Sequence, residues 1–124
     1  MAYLTDQQAQ TLADAIRGNE KAQTNLQRLG KPELIMVLDA IAFGDDHAVE
    51  WLRENGHDDW GLFITAIDGD PYAIQGLFDT KNARLAQVAG YVLGEQRQIE
   101  YLQKNNLKAW INLAEAIAEQ LSEE

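Results

Sequence analysis

The chain predicts an all-α fold, an α-solenoid of about four stacked helix-turn-helix repeats of roughly 25 residues plus a C-terminal capping helix. Three observations carry this. A phrase recurs as Ala15-Ile16-Arg17-Gly18-Asn19, Ala40-Ile41-Ala42-Phe43-Gly44-Asp45, Ala66-Ile67-Asp68-Gly69-Asp70 and Tyr91-Val92-Leu93-Gly94-Glu95, with Ala116-Ile117 as a partial fifth copy. Its branched residues stand 25, 26, 25 and 25 positions apart, and one insertion before Gly44 explains the longer interval. Apolar residues on both sides of each glycine keep helical spacing.

Within a unit the first helix is read from the glycine forward. Sixteen positions on stand Leu34, Trp60, Leu85 and Trp110, and three further come Val37, Phe63, Val88 and Leu113. Leu38, Ile64, Ala89 and Ala114 follow directly, then Ala40, Ala66, Tyr91 and Ala116 beside Ile41, Ile67, Val92 and Ile117. Offsets of 0, 3, 4, 6 and 7 describe one apolar helical face. The second helix carries Leu26, Leu52, Leu77 or Leu102 eight residues after the glycine.

The turn between them has its own chemistry. Glycine suits the left-handed residue that ends a helix, and the Asn19, Asp45 and Asp70 that follow are strong N-caps. Pro71 fits the first helical position, where a missing amide costs nothing. Gly30-Lys31-Pro32, Asn55-Gly56-His57-Asp58, Thr80-Lys81-Asn82 and Asn105-Asn106 punctuate the connections between units. Nine helices result, over residues 5–17, 20–29, 32–42, 46–55, 58–67, 71–79, 82–93, 96–105 and 107–121. Polar Gln7, Gln8 and Gln10 at one end, and Gln120, Ser122, Glu123 and Glu124 at the other, read as the capped ends of the row. Residues 1–124 read as one helical-repeat domain, with no linker or low-complexity segment dividing them.

Composition narrows the function classes. A chain of 124 residues with 46% hydrophobic content buries a usable core without metal or disulfide help, and it has no cysteine. A net charge of −10 excludes generic nucleic-acid or anionic-membrane binding, which rest on clustered Lys and Arg. The opening Met1-Ala2-Tyr3-Leu4-Thr5-Asp6 lacks a basic region followed by an apolar run, and no apolar stretch nears the roughly 20 residues that span a bilayer. A soluble cytoplasmic protein, monomer or homodimer, is expected.

The second unit resembles part of a known family. Gly44-Asp45-Asp46-His47-Ala48-Val49-Glu50-Trp51-Leu52-Arg53-Glu54-Asn55-Gly56-His57-Asp58 is similar to the second helix and following turn of an ankyrin repeat, and Ala40 matches an alanine of that family's first helix. The period here is shorter than the family's 33 residues, and no Thr-Pro-Leu-His opening occurs. The chain is thus ankyrin-like without the β-hairpin finger. The resemblance implies protein–protein binding.

No residue pattern points to catalysis. His47 and His57 flank one short helix, about 15 Å apart at 1.5 Å per residue, so they cannot share a metal ion. Twenty acidic residues offer only accidental carboxylate pairs, and there is no nucleophile elbow or phosphate loop. No enzyme activity, cofactor or metal is expected. The expected function is a non-enzymatic protein–protein interaction module, binding another protein with a basic surface through a concave face or an acidic turn edge. The alternative is an acidic inhibitor or immunity-type protein, imitating nucleic acid, that blocks a basic site on its target. Asp45, Asp46, Asp68, Asp70 and Glu95 form the acidic edge, while Lys31, His57, Lys81, Arg84, Lys104 and Lys108 gather at the other edge. Trp51, Tyr101, Tyr72 and Phe78 are the candidate aromatic anchors, since the repeat does not demand an apolar residue at the position of Trp51 and Tyr101.

Overall fold

A computed structural model describes residues 4–122, and among these it contains nine α-helices and no strand. They are α1 (Asp6–Ile16), α2 (Glu20–Arg28), α3 (Pro32–Phe43), α4 (Asp46–Glu54), α5 (Asp58–Ile67), α6 (Pro71–Asp79), α7 (Ala83–Val92), α8 (Gln96–Lys104) and α9 (Lys108–Ser122). Every boundary falls within about one residue of the expected one, because glycines, caps and prolines mark nearly every junction. Met1, Ala2 and Tyr3 of the opening, and Glu123 and Glu124 of the polar finish, lie outside the described residues.

The caps do what their chemistry requires. Thr5 and Gln8 form a reciprocal capping box at α1, each side-chain oxygen accepting the other's amide at 3.1 Å. Asn19, Asp45 and Asp70 accept amides of Ala22, His47 and Tyr72, each at 2.9 Å. Glu95 occupies the equivalent place before α8 and makes no side-chain cap bond.

Gly44 and its three repeat-mates hold positive φ values, from 63° at Gly44 to 109° at Gly69. The same left-handed state recurs in the connections between units, where Lys81 (65°) and Asn106 (54°) adopt it without being glycine. The one-residue insertion is visible too. In three inner turns the residue after the glycine donates to the carbonyl five positions back, as Asn19 does to Asp14 at 3.0 Å. Asp45 instead reaches Asp39, six back, at 3.3 Å. The added residue lengthens α3 and leaves Phe43 71% exposed.

Packing separates odd from even helices. Each even helix lies against the odd helices before and after it in the chain, and no two even helices pack together. The odd helices pack in the order α1, α3, α5, α7, α9, and α9 then packs along α1 in the most extensive pairing of the molecule. This corrects the expected row with two separate ends. The last helix, expected to cap one end, packs against α7 and α8 and also against α1 and α3.

Side chains explain the closure. Ala9, Ala13, Ala114 and Ala116 are buried on α1 and α9, and small residues let two helices approach closely. Polar bonds fix the register along the seam: Trp110 Nε1 donates to Asp6 Oδ1 at 2.8 Å, Asn112 to Gln10 at 2.8 Å, and Arg17 pairs with Glu119 at 3.1 Å. The partners advance together along both helices, so α1 and α9 run parallel.

The repeat core positions behave as read. Leu34, Trp60, Leu85 and Trp110 are buried, as are Val37, Phe63, Val88 and Leu113. Ile16, Ile41 and Ile67 are buried as well, whereas Val92 is half-buried. The leucine of each second helix, Leu26, Leu52, Leu77 or Leu102, is fully enclosed.

Candidate binding edge

The four inner turns come together at one end of the molecule. Arg17 at the end of α1 reaches Glu119 near the end of α9, and Gln120 donates to the carbonyl of Ala42 at the end of α3 at 3.2 Å. Residues of the α3–α4 turn, the α5–α6 turn and Leu121 line one groove. Tyr91, at the end of α7, feels the charge of Glu115 on α9.

This end is acidic. Asp46, Asp68 and Glu95 are exposed, while Asp45 and Asp70 are half-buried because they cap their helices. Burial, and then the charge of Asp45, push the Asp39 carboxyl above its ordinary value. The hydrogen bond from Arg17 draws the Glu119 carboxyl down and raises the guanidinium in turn. Burial and then Glu115 raise the Tyr91 hydroxyl.

Apolar side chains stand out among these acids. Tyr72, one residue into α6, is 87% exposed, Phe43 is 71% exposed and Leu93 is 39% exposed. Beside Phe43 a groove of about 200 Å³ opens between the two turns. Ile41, Val49, Ile64 and Leu121 contribute its apolar surface, and Asp45, Asp46 and Asp68 its rim.

The sequence-derived site residues therefore divide. The five acids and Tyr72 share the inner-turn end. Trp51, Phe78 and Tyr101 lie instead on the even helices α4, α6 and α8, toward the other turns. Trp51 is half-buried and stacks on His57 with ring centroids 5.7 Å apart and planes 11° from parallel. Phe78 and Tyr101 border a shallow hollow with Arg97 and Gln98. Phe43, Leu93 and the groove escaped the sequence reading. The available signal was the insertion itself, since a repeat that adds a large apolar residue at a turn has nowhere in its core to put it.

Among the described residues no group of three or more His, Cys, Asp or Glu side chains is placed to hold one metal ion, and no helix is long and apolar enough to cross a membrane. His47 is exposed and 3.8 Å from Glu50, whereas His57 sits at the far end of α4, 3.5 Å from Glu33. Within residues 44–58, Gly44 and Gly56 turn the chain, Leu52 enters the core, Val49 flanks the groove and Asp58 opens α5. No protein-family model, curated protein or solved structure matches the chain.

Proposed function

We propose that this protein is a non-enzymatic interaction module, and that its inner-turn edge binds another protein with a basic surface. One observation supports this above the others: Phe43 and Tyr72, the two most exposed large apolar side chains among the described residues, stand on the same edge as Asp46, Asp68 and Glu95. Exposed aromatics make strong anchors at protein interfaces, and surrounding charge steers the partner and rejects wrong ones. The net charge of −10 favours a basic partner over self-association through this edge. The half-buried Trp51 and Phe78 are secondary in this reading, and Tyr101 would contribute only to a partner that wraps onto α8. A cytoplasmic setting and a monomeric state belong to the same proposal.

A photo-crosslinking amino acid placed at Phe43 or Tyr72 in cells is expected to capture a discrete partner, with less capture from Leu29 in the turn between α2 and α3. Capture from Leu29 or Tyr101 with none from Phe43 and Tyr72 would contradict the edge reading. The inhibitor alternative is the version in which charge dominates. Its affinity should collapse as salt rises past about 0.1 M, where the screening length is about 10 Å. Binding anchored by Phe43 and Tyr72 should persist there and fail when either becomes serine.

A further inference from the structure

Two kinds of chemistry meet between the second and third inner turns. The groove has a polar, anionic rim from Asp45, Asp46 and Asp68, and its accessible aliphatic surface comes from the half-buried Val49 and Leu121 over a floor of buried Ile41 and Ile64. At about 200 Å³ the space is smaller than the roughly 300–1,000 Å³ of small-molecule sites, and suits a single side chain.

We infer that this groove takes one large aliphatic or aromatic side chain from a Lys/Arg-rich segment of a partner protein, whose flanking basic residues pair with Asp45 and Asp46. The inference rests on the edge reading above and names what the edge grips. An aliphatic floor rewards removal of an apolar side chain from water in proportion to its area. The rim adds selectivity, since an acidic segment presenting the same side chain meets like charge there. Asp39 strengthens the electrostatic side: its carboxyl is already disfavoured as an anion by burial and by Asp45, and a cation arriving at Asp45 relieves that repulsion.

A second copy of this chain is the competing occupant. Its one exposed leucine between basic residues is Leu29, in Arg28-Leu29-Gly30-Lys31. Bringing together two molecules of charge −10 opposes that pairing, so a basic partner is favoured.

Backbone-amide NMR with two short Lys/Arg peptides, one with a central leucine and one with serine instead, tests the inference. The leucine peptide should bind at least about tenfold tighter. It should shift the amides of Ile41, Val49, Ile64 and Leu121, with the serine peptide moving only the acidic rim. Asp46→Asn should weaken the leucine peptide severalfold. Equal affinities with shifts confined to the rim would overturn the groove while leaving the edge reading standing. Shifts at the opposite end, or none with either peptide, would remove both. Self-association by sedimentation that Leu29→Ser abolishes would give the groove to a second copy and overturn the assignment to a partner.

Discussion

The two ends of this molecule are built from the same hairpins but dispose of their polar and aromatic groups differently. At the end formed by the connections between units, many polar and aromatic side chains pair with one another, although Leu29 stays exposed and one Glu33 carboxylate oxygen is buried without a hydrogen bond. Arg84 lies 5.4 Å from the Trp110 ring centre, Trp110 donates to Asp6, Lys31 reaches Gln8 at 3.3 Å, and His57 lies between Glu33 and Trp51. At the inner-turn end, Glu119 pairs with Arg17 and Asp45 and Asp70 cap helices, while Phe43 and Tyr72 stand in solvent. Both ends help to secure the fold. The inner-turn end adds the two most exposed aromatic side chains among the described residues, Phe43 and Tyr72, beside concentrated charge, an arrangement that stability alone gives no reason to keep.

Substitutions should break this contrast in graded fashion. Trp110→Ala removes a buried indole, its bond to Asp6 and its cation–π contact, and should cost about 3–5 kcal/mol in a urea titration. Asp70→Ala should cost about 1 kcal/mol by losing the bond from Tyr72, while Glu95→Ala, at a position without a cap bond, should cost much less. Lys81→Gly should raise stability by a few tenths to about 1 kcal/mol, because its φ of 65° is one that glycine adopts freely.

Smaller still is Asp39→Asn. The folded state holds the Asp39 proton more tightly than the unfolded chain, so its contribution is present below the ordinary carboxylate pKa and is lost as pH rises through the raised value. Asparagine should therefore be slightly stabilising at neutral pH and should flatten the pH dependence of the melting temperature just above the ordinary carboxylate range. Phe43→Ser, in solvent, should shift stability by no more than about 0.5 kcal/mol while removing most binding at the edge. A large loss of stability from Phe43→Ser would mean that the exposed residue belongs to the fold, and the contrast between the ends would disappear.

What the sequence revealed follows from range. Helix limits are set by neighbours one to five residues apart, and Gly44, Asp45, Asp70 and Pro71 announce them directly. Burial of Val37, Phe63, Val88 and Leu113 follows from a period visible along a single helix. The pairing of α1 with α9 joins residues more than 100 positions apart, such as Asp6 with Trp110, and no local pattern encodes it. The polar residues that read as capped ends partly fasten α9: Gln10 of α1 bonds Asn112, and Gln120 bonds Ala42 of α3. Of the candidate site, the acids were legible as turn residues. Phe43 and the groove needed the three-dimensional meeting of two turns with the end of α9.

The seam between α1 and α9 also sets the number of hairpins. An open stack tolerates duplication of an internal unit, because each unit touches only those beside it. Here a duplicated hairpin would push the first and last helices apart and strip Arg17, Gln10 and Asp6 of their partners together. Lengthening this architecture would therefore demand a new curvature, so its size resists the copy-number drift that longer arrays permit.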